Sequence, residues 1–146
     1  MDSCSDRRPL PLDIKTAMSR DTFSSCNNIQ VTAVYSDGTA EGELTVTPRS
    51  LNPHGIVHGG CLAALADTVA GWAVSVGQNK PTVTVNYAFN FLRPAKGSNR
   101  KIRCRAAPEK LGRTLCVYHL TLLDDNDVEV ANGNFTFFLL DEEYPR

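Results

Sequence analysis

The sequence predicts an α+β fold in which one long central helix is wrapped by a six-stranded antiparallel sheet. Three observations predict it: one long apolar segment of helical length, six segments with strand character, and short connections between the later strands. Short connections favour antiparallel neighbours, because a parallel crossover needs a dozen or more residues. The 146 residues are enough for one ordinary domain. We place it at residues 21–146, after an N-terminal tail or short helix at residues 1–20.

The first two strands are predicted on either side of a tight turn. Residues 30–35 and 39–48 are rich in β-prone side chains, and the Asp-Gly step between them is typical of a hairpin. The stretch 60–77 then combines Ala, Leu and Val at helical length, and it is apolar on nearly every side. We therefore expect a helix that is buried on most faces and that stops at Gly77.

The remaining strands follow in the C-terminal half. From residue 82 to 91, apolar residues alternate with Thr, Ala and Asn, which predicts a long strand with one apolar and one more polar face. Three further strands are predicted at residues 101–108, 114–123 and 128–140, the last two joined by an acidic turn. Open sheet edges and an oversized apolar face suggest a partner subunit.

Composition excludes several classes of protein. The formal net charge is −1 and 21% of the residues are charged, which argues against a nucleic-acid binder and against an acidic disordered chain. The longest apolar stretch, residues 61–76, is interrupted by Asp67 and is short for a bilayer span. Five cysteines without a C-x-x-C pair or an apolar signal core predict a reducing compartment. We expect the cytoplasm or an organelle matrix, with no membrane partner.

A first candidate site lies just before the long helix. Residues 52–60 contain Asn52, His58 and two adjacent glycines, Gly59 and Gly60. Glycines at a helix start leave backbone N–H groups sterically open, and these groups suit an anion or a developing oxyanion. Equally, the glycines could merely allow a tight turn and close packing.

A second candidate is Asp67, the only charged residue between His58 and Lys80. A carboxylate in the middle of a buried helix is costly unless it is paired or faces a cavity. Burial would raise its pKa and suit it to general-base or nucleophilic chemistry. The alternative is a structural Asp that bonds to neighbouring backbone or to Thr68 at a subunit seam.

A third candidate is a basic cluster. Eight of the 15 basic residues lie between residues 93 and 113, where the only acidic residue is Glu109. Segments 93–96 and 110–114 look like loops at strand ends, which could approach each other at a subunit edge and attract a polyphosphate. Side chains of the intervening strand at residues 101–105 are interpreted as a solvated outer face.

Metal binding and cysteine catalysis are disfavoured. His54, His58 and Cys61 are residue types that bind zinc. However, Pro53 and the two glycines oppose a regular helix through both histidines, and no second group of ligands follows. Cys61 lies at a helix start, but with no supporting pair we interpret it as a packing residue.

Several short motifs in order resemble one family. Asn52-(x5)-His58-Gly59-Gly60, then Leu-Ala-Asp-Thr at residues 65–68, resemble the hotdog-fold acyl-CoA thioesterases. The most similar members are the phenylacetate-pathway (PaaI-like) thioesterases and the small mammalian acyl-CoA thioesterases. Residues 90–95, 112–114 and 130–136 are also similar, so the resemblance extends from about residue 28 to 140.

The resemblance implies a hotdog fold and a dimer with active sites at its interface, commonly paired into a tetramer. It assigns Asp67 as nucleophile or general base, and the N–H of Gly59 as the donor to the thioester carbonyl. His58 and Asn52 would orient these groups and the water. A Ser or Thr from the opposite subunit's long strand often completes the site, and Thr84 stands at that position.

The same resemblance places CoA phosphates on the strand-end loops. The implied CoA-binding residues are Arg93, Pro94, Ala95, Lys96, Lys110, Gly112, Arg113 and Thr114. The expected reaction is hydrolysis of an acyl-CoA to the free acid and CoA, without a metal or redox cofactor. A non-catalytic acyl-CoA-binding protein and a hotdog hydratase or dehydratase are the alternatives. The acyl group is left open, with Trp72, Val76, Tyr87 and Phe89 as candidates to line or back its pocket.

Overall fold

The computed structural model describes residues 7–10 and 13–142. Three α-helices are present in this part of the chain: α1 (Ile14–Met18), α2 (Thr22–Cys26) and α3 (Gly59–Gln78). A short 3-10 helix covers Pro48–Ser50. The strands are β1 (Ile29–Val34), β2 (Ala40–Thr45), β3 (Thr82–Phe91), β4 (Lys101–Leu111), β5 (Leu115–Leu123) and β6 (Glu129–Leu139).

The strands of the described residues form one six-stranded sheet with the order β1-β2-β4-β5-β6-β3. Every neighbouring pair is antiparallel. Helix α3 packs across one face of this sheet. The predicted architecture of one helix wrapped by six antiparallel strands is thus confirmed, and β3 forms one edge of the sheet.

The core lies between α3 and the sheet. The buried residues of α3 are Leu62, Leu65, Ala66, Val69, Ala70, Ala73 and Val74. Gly42 of β2 allows the helix to approach closely, because a Cβ there would lie 2.4 Å from Val69 Cγ2 and 2.8 Å from the Gln30 carbonyl oxygen. Two turns in the middle of α3 therefore rest almost directly on the sheet backbone.

Two expectations about the long helix were wrong. Only one side of α3 is buried, while residues such as Thr68 and Trp72 on the other side are half-buried. The helix also continues through Gly77 to Gln78. Asn79, with a φ of 51°, is its left-handed cap. With 20 mostly apolar residues, α3 has the length and composition of a bilayer span. Its packing on the sheet is that of a core helix.

Strand β4 is longer than predicted. Pro108 is tolerated because the pairing of β4 with β5 shifts register between Pro108 and Lys110. Lys110 consequently lies in a strand rather than in a loop, and the turn consists of residues 112–114 only.

The N-terminal segment packs on β1. The Leu10 N–H donates to the Val34 carbonyl oxygen at 2.8 Å, and Met18 at the end of α1 is buried. Helix α2 was not predicted, although its N-cap residue Asp21 is a recognisable start signal: its side chain accepts from the Ser24 N–H at 2.9 Å.

Candidate active site

The loop before α3 is held in one shape by hydrogen bonds. The side-chain oxygen of Asn52 accepts from the N–H of His54 at 2.9 Å and of Ile56 at 3.3 Å. The His58 N–H donates to the Ser50 carbonyl oxygen at 2.7 Å. Asn52 therefore shapes the loop through its oxygen. Its orientation of the catalytic groups and the water stays a prediction.

One N–H group at the start of α3 is free. His58 is the N-cap, and its Nδ1 accepts from the Gly60 N–H at 2.8 Å while its carbonyl oxygen accepts from the Cys61 N–H at 2.9 Å. Within residues 7–10 and 13–142, the N–H of Gly59 has no acceptor. It lies at the positive end of the helix dipole, which suits a carbonyl oxygen that gains negative charge.

Gly59 opens into a cleft of about 310 Å³. Asn52, Phe91 and residues 93–95 line the same cleft. The basic segment at residues 93–96 is fixed there by backbone pairing, since the Val57 N–H donates to the Ala95 carbonyl oxygen at 2.8 Å. The predicted residues Asn52, Gly59 and Arg93 to Ala95 are thus brought together, and Lys96 follows them in a bridge with Ile56.

Asp67 lies in a different place. It is eight residues beyond Gly59 on α3, which corresponds to about 12 Å along the helix. The Thr84 hydroxyl donates to Asp67 Oδ1 at 2.6 Å, so these two candidate residues are hydrogen-bonded within one chain. Asp67 is half-buried rather than fully buried. With Thr84, it lines a cleft of about 820 Å³ that also includes Trp72 and Val76.

One chain therefore divides the predicted catalytic residues into two groups. Asn52, His58 and Gly59 are at the start of α3, and Asp67 and Thr84 are two turns further along. The N–H of Gly59 and the carboxylate of Asp67 do not face a common cleft in a single chain.

The two basic segments are also separated. Residues 93–96 adjoin the start of α3, whereas the turn at 112–114 follows β4, whose 11 residues span about 35 Å. The turn is tied to the other end of the sheet, where the Leu139 N–H donates to the Thr114 carbonyl oxygen at 2.8 Å. In a single chain the two loops are therefore apart, and their approach at a subunit edge stays a prediction.

The cations of the intervening strand face solvent and pair locally. Lys101 Nζ lies 2.6 Å from Glu43 Oε1, and Arg103 pairs with Asp127. Arg93 donates from Nη1 to the Glu129 carbonyl oxygen at 2.8 Å, which orients its guanidinium beside the Gly59 cleft.

The aromatic candidates for the acyl pocket differ from one another. Trp72 lines the Asp67 cleft, whereas the Tyr87 ring stacks on Phe135 with centroids 4.5 Å apart. Phe91 was not predicted, yet its ring lies against Gly59, where a Cβ would be 3.1 Å from Phe91 Cε1. The available signal was its place at the end of the alternating strand, two residues before Arg93.

Cysteine chemistry finds no support in the geometry. Burial raises the pKa of the thiols of Cys61, Cys104 and Cys116, which disfavours the reactive thiolate. In the part of the chain that the structure describes, no three His, Cys, Asp or Glu side chains group together as metal ligands.

A long helix wrapped by an antiparallel sheet is the architecture of the hotdog class of proteins. Residues 54–131 match the model of the thioesterase superfamily. The chain belongs to this family, and the resemblance to its PaaI-like members is confirmed.

Known proteins share nearly the whole chain. A Mycobacterium tuberculosis protein named as an esterase is 32% identical over 130 residues, which cover 86% of this chain and 87% of that protein. The Escherichia coli PaaI protein of the phenylacetic acid degradation operon superposes with a TM-score of 0.79 at 26% identity, covering 87% and 91%. A Streptococcus mutans protein bound to acetyl-CoA superposes with a TM-score of 0.72 at 26% identity, covering 80% and 92%.

Proposed function

We propose that this protein hydrolyses acyl-CoA thioesters to a free carboxylic acid and CoA, at sites formed between two copies of the chain. The observation that carries the proposal is the division of the site along α3. A free N–H donor and a hydroxyl-paired carboxylate are both present, but about 12 Å of helix separates them. Each cleft supplies what the other lacks.

The exposed edge of the sheet explains how two chains would join. Strand β3 has ten residues, and Val85, Tyr87 and Phe91 on it are 53–58% exposed. A long, apolar edge strand is a template for pairing with another strand. Two β3 strands that pair antiparallel about a two-fold axis would bring opposite ends of the two sheets together. Gly59 of one chain would then lie near Asp67 of the other.

The proposed chemistry needs only these groups. The Gly59 N–H donates to the thioester carbonyl oxygen and stabilises the negative charge that develops there. Asp67 either attacks the carbonyl carbon or takes a proton from the water that attacks it. The C–S bond then breaks and the CoA sulfur receives a proton. In the nucleophilic route, water then hydrolyses the acyl-Asp67 anhydride, and in both routes the free acid is released. The Thr84 hydroxyl holds the carboxylate, and in the general-base route it also helps to place the water.

Binding of the CoA portion is assigned to the basic loops. Residues 93–96 lie beside the Gly59 N–H, so a thioester bound at that donor has these backbone and basic groups within reach of its CoA arm. Two-fold pairing of β3 would bring the partner's opposite end, with Lys110 and residues 112–114, toward the same side. CoA thioesters as substrates are further supported by the acetyl-CoA complex of the similar Streptococcus mutans protein. A tetramer of two such dimers is our proposal for the assembly.

The test is thiol release from a panel of acyl-CoAs, measured for the wild type and for Asp67→Asn. Because the amide can neither attack nor accept the proton, we expect turnover to fall by about a thousandfold. CoA affinity, measured by calorimetry, should stay within about twofold, since Asp67 is not on the CoA loops.

Three outcomes would overturn the proposed mechanism or the proposed function. Near-normal thiol release by Asp67→Asn would remove Asp67 from the mechanism. CoA binding without thiol release by the wild type would indicate an acyl-CoA-binding protein instead. Loss of enoyl-CoA absorbance without thiol release would indicate a hydratase.

A further inference from the structure

The Phe91 ring occupies the space where Gly59 would carry a side chain. A Cβ on Gly59 would lie 3.1 Å from Cε1 and 3.2 Å from Cζ of Phe91. Outside the neighbouring residues of the chain, the three heavy atoms nearest to that position all belong to Phe91. The glycine is thus matched to one aromatic ring, and that ring forms the wall immediately beside the free N–H.

This ring is held from behind but open in front. Phe91 meets Phe89 edge to face, with centroids 5.3 Å apart, and Phe89 meets the buried Phe135 in the same way at 5.7 Å. The row of rings anchors Phe91 to the core. Even so, Phe91 is 58% exposed, which is a large apolar area to leave uncovered at the mouth of a cleft.

The position of the ring decides which part of a substrate it would meet. The cleft that Gly59 and Phe91 share continues to Arg93, Pro94 and Ala95, which follow Phe91 almost directly in the chain. Residues 93–96 are the proposed CoA-binding loop, so the CoA arm beyond the sulfur would run toward this side of the cleft. A thioester with its carbonyl oxygen on the Gly59 N–H would therefore pass its sulfur and the adjoining arm across the Phe91 ring.

We propose that Phe91 is a positioning residue that seats the sulfur side of the thioester against the Gly59 N–H. This inference rests on the proposed thioesterase function. Sulfur atoms make favourable contacts with aromatic rings. The ring also keeps water off the donor, and hydrogen bonds to a developing oxyanion are stronger where water is excluded. Phe91 acts on the part of the substrate that all acyl-CoAs share.

The first test compares Phe91→Ala and Phe91→Leu with Phe138→Ala over the acyl-CoA panel. Phe138 is 39% exposed on β6 and lines neither cleft, so it is the matched control. For Phe91→Ala we expect kcat to fall by about tenfold, by a similar factor for every acyl group, because a small misplacement of the reacting bond is costly. Phe91→Leu should restore part of the loss, and Phe138→Ala should match the wild type.

The second test uses the fit between the two residues. Gly59→Ala keeps the N–H but displaces the Phe91 ring, so we expect it to lower kcat by about three- to tenfold. In the Phe91→Ala background the new methyl group has room. The double variant should therefore be no slower than Phe91→Ala alone, which is the non-additivity expected of two residues that act through one contact.

Other outcomes separate this inference from the function on which it rests. If the wild type releases no thiol, the proposed function fails. An active wild type with a Phe91→Ala variant of equal kcat overturns the role of Phe91 alone, as does a double variant whose losses multiply. A Phe91→Ala variant that changes only the preference among acyl groups places the ring on the acyl side, and likewise overturns it. Solution mass and melting temperature should equal those of Phe138→Ala, so that altered assembly does not explain the loss.

Discussion

The two clefts on α3 differ in how their reactive groups are held. At the helix start the reactive group is a backbone N–H, fixed by the N-cap His58 and by a loop whose turns are closed by Asn52. Two turns further along it is the side chain of Asp67, which is held by one hydroxyl group from a neighbouring strand. The backbone donor is held by several hydrogen bonds around it, whereas the carboxylate depends on its single partner.

The two halves of the site contribute different chemistry. The helix dipole favours negative charge at its start, so a developing oxyanion is stabilised there without any cation. Asp67 lies in the body of the helix, beyond the first turn to which that favourable field extends. The same helix can therefore supply an electrophilic site and a base, provided that the two act in different copies of the dimer.

The strongest test of this comparison removes the donor and restores it by mixing. Gly59→Pro deletes the N–H without disturbing the backbone: the first helical position favours proline, and His58 already has the ψ of 133° that a following proline requires. Its added Cβ meets the Phe91 ring, and Gly59→Ala is the matched control for that contact. We expect kcat to fall by about a hundredfold or more in thiol release. Gly59→Ala, which keeps the N–H, should lose much less.

Co-refolding of Gly59→Pro with Asp67→Asn should then recover activity. If donor and carboxylate come from different chains, half of the random dimers are mixed, and each has one intact site. Activity should return to about a quarter of the wild type. Recovery of none, with mixed dimers present, would mean that each site lies within one chain.

A smaller effect is expected at the support of the carboxylate. Thr84→Val keeps the shape of the side chain but removes the hydroxyl that donates to Asp67. We expect kcat to fall by about tenfold with little change in KM, since an active carboxylate remains but is no longer held in place. Thr84→Ser should retain most of the activity. Equal loss in Ser and Val variants would contradict the role of the hydroxyl.

The sequence predicted these two halves unequally well. The fold was predicted from alternation, turn residues and short connections, and the candidate site residues from short motifs. Each of these is a local signal. Eight residues of helix already imply that Gly59 and Asp67 are separated in one chain. Only the resemblance indicated that they act together across a dimer interface. The contact of Phe91 with Gly59 joins the end of β3 to the start of α3. No local pattern encodes a contact between residues that are 32 positions apart.

Errors at element ends have local physical causes. Gly77 has nothing within 4 Å of a would-be Cβ and continues the helix, because the left-handed cap falls to Asn79. Pro108 continues β4 because the register shift beside it removes the need for its N–H. Both residues usually interrupt elements, and only the surrounding pairing shows that they do not here.

The seat of α3 on the sheet offers a matched pair of glycine variants. Gly42→Ala places a methyl group 2.4 Å from Val69 Cγ2 and 2.8 Å from a carbonyl oxygen, so the free energy of unfolding should fall by about 1–3 kcal/mol. Gly77→Ala meets nothing and should instead add about 0.5–1 kcal/mol, as alanine favours helix. Urea denaturation measures both. Equal effects of the two would show that α3 is not seated closely at Gly42.

The smallest effect concerns acid stability at the Gly59 end of the sheet. Asp125 accepts from the Arg100 N–H at 2.6 Å and from the Lys101 N–H at 3.3 Å, and these backbone hydrogen bonds lower the pKa of its exposed carboxyl below the ordinary 3.8. A folded-state pKa below the unfolded value stabilises the protein at pH values above 3.8, and this contribution is lost as pH falls through the lowered pKa. Asp125→Asn should therefore melt lower than the wild type near neutral pH, and the two melting temperatures should converge in acid. Strand β4 begins at Lys101, beside the loop that lines the Gly59 cleft. A parallel fall in thiol release by Asp125→Asn would show that the Gly59 end of the sheet, and not the Asp67 end, depends on the turn that contains Asp125.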